Sequence, residues 1–141
     1  MKLLKNRLFL AGMMIFILIA MAAPVFAADH NYQYEFHLQV GGKNSYLSSS
    51  ESKYRQTTNT SNPWKVNMSN ICDDSDGIAT YWIARNADHV QVSDAHNVHA
   101  GTGAHYYNAR SSANQTTVVL AADNNNNVAA RVWGYWDEET H

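Results

Sequence analysis

From Tyr32 to Val40, apolar and polar residues alternate without a break. Tyr32, Tyr34, Phe36, Leu38 and Val40 fall on one face, and Gln33, Glu35, His37 and Gln39 on the other. Side chains on an extended strand point to opposite faces with period two, so this run reads as a half-buried β-strand. A surface helix would need an apolar stripe of period 3.6, and none is sustained anywhere after residue 28. The chain is thereby confined to the all-β class.

Further strand signals follow. Trp64, Val66 and Met68 alternate with Lys65 and Asn67. Residues 78–85 carry bulk on both faces, Ile78 and Trp82 against Tyr81 and Ile83, as a central strand does. Val90 and Val92, residues 104–110 with Tyr106 and Tyr107 on opposite faces, residues 116–122 and residues 128–136 complete the series. Between them lie Gly41-Gly42, Asp76-Gly77, Gly101-Thr102-Gly103 and four asparagines at 124–127, all turn chemistry. Asp76-Gly77 and Gly101-Thr102-Gly103 read as hairpin turns. Residues 43–63 read as a polar loop with one weak edge strand near Tyr54, and Ser48, Ser49 and Ser50 as a mobile piece. Asp137, Glu138 and Glu139 read as a solvated acidic end. Six or seven short strands at roughly ten-residue spacing fit one small antiparallel β-sandwich, or a small barrel. Trp64 and Trp82 are expected inside, while the placement of Trp133, Tyr135, His96 and His105 stays open.

The N-terminal residues have a different character. Lys2, Lys5 and Arg7 precede an uncharged run over residues 8–28, with Val25 and Ala27 set for cleavage after residue 27. This is the pattern of a secretory signal peptide, giving a signal peptide at 1–27 and one domain at 28–141. An uncleaved anchor is the competing reading, since the run is about as long as the ~20 residues that span a bilayer. Residues 28–141 contain seven Lys and Arg against twelve Asp and Glu, a net charge of −5. That acidic balance argues against nucleic acid as a partner. Cys72 is the one cysteine, so no internal disulfide can form and packing alone must hold the domain. Secretion from a Gram-positive bacterium is the expectation.

Several strings together resemble a family of small exported proteins of Firmicutes that carry a domain of unknown function. They are Tyr54-Arg55-Gln56-Thr57-Thr58-Asn59, Trp64-Lys65-Val66-Asn67, Thr80-Tyr81-Trp82, Ser93-Asp94-Ala95-His96-Asn97-Val98, Gly101-Thr102-Gly103-Ala104-His105-Tyr106-Tyr107 and Gly134-Tyr135-Trp136-Asp137-Glu138. The resemblance spans nearly all of residues 28–141 and implies export and a β fold; it brings no activity or site residues. The Tyr-rich, Asn-rich composition with its Trp-bearing end is also similar to the lactococcin-972-type bacteriocins, small exported β-sandwich proteins.

Candidate site residues concentrate in residues 94–107. Asp94, His96, His99, His105, Tyr106 and Tyr107 form the expected binding surface, because loops carried on rigid sheets are where binding residues tend to sit. Three imidazoles in ten residues, His96, His99 and His105, suit zinc in principle, but their spacing fits no zinc signature and no Glu stands by as a base. If His96 and His99 share a strand, they point to opposite faces. Cys72-x-Asp74-x-Asp76-Gly77 opens like a calcium loop but has Ile83 where a bidentate Glu is required. No cofactor is therefore expected, with zinc at the three histidines and a weak extracellular calcium site at Asp73, Asp74 and Asp76 as the alternatives. Cys72 has no basic neighbour in sequence that would activate it as a nucleophile. Ser93 lacks the glycines of a nucleophile elbow. Glu35 is the one acid inside a clear strand, so no glycosidase carboxylate pair shows. The reading is a secreted, non-enzymatic β-sandwich that binds an extracellular or cell-envelope component, bacteriocin-like in kind. The alternatives are a secreted metal-dependent hydrolase using His96, His99 and His105, and a carbohydrate-binding module resting on four tryptophans and eight tyrosines.

Overall fold

A computed structural model describes residues 29–58, 62–72 and 77–140. The signal-peptide reading at 1–27 and the acidic residues at 73–76 lie outside the described residues. The strands are β1 (Tyr32–Leu38), β2 (Ser45–Tyr46), β3 (Lys53–Tyr54), β4 (Trp64–Cys72), β5 (Ile78–Arg85), β6 (His96–His99), β7 (Ala104–Tyr107), β8 (Thr117–Asn124) and β9 (Ala130–Asp137). No α-helix occurs among the described residues. Two antiparallel sheets stack. One has the order β1-β9-β4-β7; the other runs β2-β8-β5-β6, with β3 also on β8. Neither closes on itself, so the fold is a sandwich and not a barrel.

Alternation decides which side chains enter the core. β1 sends in Tyr34, Phe36 and Leu38, while Tyr32 is half-buried and Val40, beyond the strand, is 51% exposed. β9 sends in Ala130, Val132 and Trp136 and turns out Arg131, Trp133 and Tyr135. Trp64, Val66, Met68, Tyr81, Ile83, Val98, Val118 and Leu120 fill the space between. Each large side chain of this set removes apolar area from water worth about 1.5–3 kcal/mol. β5 is central, as its two bulky faces imply. Trp82 is buried, but on the outer face of the five-stranded sheet, in a small cluster with Ala84, Val119, Ala121 and Tyr46. Tyr46 meets Trp82 edge-on and stacks on His89 at 4.1 Å.

One hydroxyl pair joins the sheets. Tyr34 Oη, from β1, lies 2.9 Å from Tyr81 Oη, from β5, and 3.1 Å from the Asn67 carbonyl oxygen. A β-bulge between Met68 and Asn70 turns that carbonyl toward β9. Gly134 sits against it: a Cβ there would lie 1.8 Å from the Asn67 oxygen. Bulge, glycine and tyrosine pair form one unit.

Four features differ from the sequence reading. β4 and β5, and likewise β6 and β7, belong to different sheets, so the strands on either side of Gly77 and of Gly101-Thr102-Gly103 are not paired as hairpins. Ser48 is the N-cap of an ordered 3-10 turn at Ser49–Glu51, its hydroxyl and backbone N–H both donating to Glu51. β4 is nine residues long, and Trp64 to Met68 is buried on both faces. The acidic end is not solvated: Asp137, Glu138, Glu139 and Thr140 are all buried.

Candidate functional site

Residues 94–107 span the edge of the sandwich where β6 and β7 lie in opposite sheets. His96 pairs with Tyr81 and faces inward; His99 pairs with Ile78 and faces out. The His96 ring stacks on Tyr107 at 3.7 Å and 2°, with Trp64 5.3 Å from Tyr107. His105 lies parallel to Tyr107 at 6.2 Å. These rings close the gap between the sheets over Trp64. Burial holds the His96 imidazole below its usual value, with Asp94 pulling the other way, and burial raises the Tyr107 phenol. Thr102 donates to the His99 carbonyl and therefore accepts from His105 Nε2 at 2.7 Å, which places the ring proton on that nitrogen. Asp94 is paired with Arg110 at 2.8 Å, which lowers its pKa.

The six expected residues are thus only partly brought together. His96, His105 and Tyr107 stack, and Asp94 lies near His96. His99 and Tyr106 project from the outer faces of opposite sheets. His96, His99 and His105 do not converge, and among the described residues no three His, Cys, Asp or Glu groups could hold a metal ion.

A second surface lies on the outer face of the four-stranded sheet, where the register sets side chains in rows. Glu35, Trp133 and Asn70 form one row, Gln33, Tyr135 and Asn67 the next. Arg131 spans two strands to Glu35 with two hydrogen bonds of 2.8 Å, and its guanidinium lies 5.7 Å from the Trp133 ring centre. This bidentate contact, helped by His37, keeps Glu35 ionised by lowering its pKa. Lys65 lies 5.9 Å from the Tyr135 ring. An open groove of about 490 Å³ runs here, lined by Gln33, Tyr34, Glu35, Glu51, Arg131 and Trp133. Gln33, Glu35, Glu51 and Arg131 did not stand out in sequence as binding residues, and Trp133 entered only as one of the four tryptophans behind the carbohydrate-binding alternative. The alternation of β1 and β9 does put Gln33 and Glu35, and Arg131 and Trp133, on solvent faces. What it lacks is that the two strands are neighbours.

No curated protein and no solved structure matches the chain. The family described as "Protein of unknown function (DUF2712)" matches residues 21–140. That match covers all nine strands, both surfaces and the buried acidic segment, and the chain belongs to this family of unknown function.

Proposed function

We propose that the protein is exported and acts outside the cell without catalysis, binding a saccharide segment of the cell envelope in the groove beside Trp133. One observation carries the reading: an indole stands beside a doubly hydrogen-bonded Arg131–Glu35 pair in an open groove on the outer face of the four-stranded sheet. The apolar face of a sugar ring packs on an aromatic face, and its neighbouring hydroxyls match fixed planar groups that donate or accept two bonds at once. Gln33, Glu35 and Arg131, which line the groove, are planar groups of this kind. A volume of about 490 Å³ is within the range of small-ligand sites, roughly 300–1,000 Å³. Glycoside cleavage would need a carboxylic acid with a raised pKa, whereas Glu35 is shifted the opposite way. The uncharged run at residues 8–28 behind three cations supports export.

The test is sedimentation with purified cell-wall glycan and with soluble polysaccharides. Wild-type protein should co-sediment, and Trp133→Ala should lose binding at least tenfold while its thermal midpoint stays within a few degrees. Equal binding by Trp133→Ala, or no binding to any glycan, overturns the proposal.

A further inference from the structure

Asp137 ends β9, and Glu138, Glu139 and Thr140 continue past it, yet all four are buried. They are held by named contacts. The Glu139 carboxylate accepts the Gln56 and Thr57 amides at 2.9 and 2.8 Å. The Glu138 carbonyl accepts from Arg55 Nη1, and Thr140 donates its amide to the Pro63 carbonyl at 2.7 Å. Asp137 accepts the His30 amide and lies 3.7 Å from Lys65 Nζ. The segment therefore straps residues 55–57 and 63–65 to the end of the four-stranded sheet and hides two cations, Arg55 at 0% exposure and Lys65 at 4%.

The Glu138 side chain is the exception in this set. Its Oε2 is buried with no hydrogen-bond partner, as are Arg55 Nε and Thr57 Oγ1. The groups facing it are Asp137 and Glu139 on its own segment, Arg55 on the loop after β3 and Tyr32 on β1, beneath Lys53; Lys65 on β4 reaches only as far as Asp137. Arg55 interacts first with Glu139 and only second with Glu138, its Nη1 going to the Glu138 carbonyl and not to the carboxylate, while Lys65 pairs with Asp137. An ionised Glu138 would add a third buried negative charge where one oxygen has no donor, which is unfavourable.

We propose that Asp137–Thr140 is a proton-controlled clasp, docked while Glu138 is uncharged and released as Glu138 ionises, which uncovers Arg55 and Lys65. Burial first, then the Asp137 and Glu139 carboxylates, push the Glu138 carboxyl up to about 7, against a backbone hydrogen bond that lowers it. The docked form has the higher pKa, so docking is fully favoured below the undocked value of 4.5 and weakens as pH rises to about 7. Between pH 5.5 and 8 the opening equilibrium should rise about 30-fold.

Hydrogen exchange of the full protein, corrected for intrinsic rates, reads this directly. Protection of the Gln56, Thr57 and Thr140 amides should fall about 30-fold from pH 5.5 to 8, while β5 and β8 amides hold theirs. In Glu138→Gln, uncharged at every pH, the fall should vanish; Glu138→Met replaces it if the glutamine variant folds poorly. The proposal is overturned by flat protection in wild type, by an undiminished fall in the variant, or by core amides losing protection in step.

Discussion

Removing single hydroxyls from the Tyr34–Tyr81 pair should have unequal costs, and the inequality follows from counting protons. A phenol has one proton to donate. Tyr34 Oη touches both the Asn67 carbonyl, which can only accept, and Tyr81 Oη. All groups are satisfied when Tyr34 donates to Asn67 and Tyr81 donates to Tyr34. Tyr81→Phe then removes one donor and leaves Tyr34 bonded to Asn67, costing about 0.5–1.5 kcal/mol. Tyr34→Phe strands both the Asn67 carbonyl and the Tyr81 hydroxyl, at 0% exposure, for about 1–3 kcal/mol each, or roughly 2–5 in total. The double Phe variant removes one of those stranded groups, so it should be no less stable than Tyr34→Phe alone, a coupling of about 1 kcal/mol or more. Phe fills the space of the ring in each case, so no cavity confuses the comparison. Denaturant unfolding with unchanged slope gives the values, and the thermal midpoint should move by roughly 4–8 °C per kcal/mol. Equal costs for the two single variants, or additive costs in the double variant, would refute this proton assignment.

Gly134→Ala should lose more than about 3 kcal/mol or fail to fold, because its Cβ would meet backbone that the bulge fixes in place; a circular-dichroism melt within about 2 °C of wild type would show that the bulge can move. His96 has a lowered pKa, so its contribution is present above its ordinary value near 6.5 and is lost as pH falls. His96→Phe, which keeps the stack on Tyr107 without the charge, should therefore gain stability relative to wild type from pH 7 to pH 5, measured as the difference in melting midpoint. A difference that does not change with pH would place His96 in a solvated setting.

The legible part of this fold is the part that period two encodes. The alternation of Tyr34, Phe36 and Leu38 in β1, and of Val132 against Arg131 and Trp133 in β9, gave the buried and exposed faces correctly. The two-sided bulk of residues 78–85 marked the central strand β5. Turn residues were legible as turns but not as crossings. Gly77 and Gly101 have φ of +69° and +74°, which fixes local backbone and says nothing about which sheet the next strand joins. The acidic end was misread because buried carboxylates become tolerable only with donors from far away in sequence, such as the Gln56 and Thr57 amides 83 and 82 residues back. The candidate groove was hidden for the same reason. Glu35 and Arg131 are 96 residues apart, and only the register of the first strand on the last makes them partners. The histidine-rich stretch drew attention through composition, which cannot distinguish rings that stack from rings that face solvent.

The strand order also dictates when this protein can fold. β9 lies between β1 and β4, so among the described residues the first strand pairs only with the last one. Of the eight steps between successive strands, only β5 to β6 joins hydrogen-bonded neighbours. A chain appearing N-terminus first can pair β4 with β7, but it holds β1 without a partner strand until residues 130–137 emerge. Loop closure of that span is entropically costly and makes assembly slow. A chain cut short before β9 could still pair every strand of the five-stranded sheet, but it would leave β1 severed from the β4–β7 pair, with the centre of the four-stranded sheet missing.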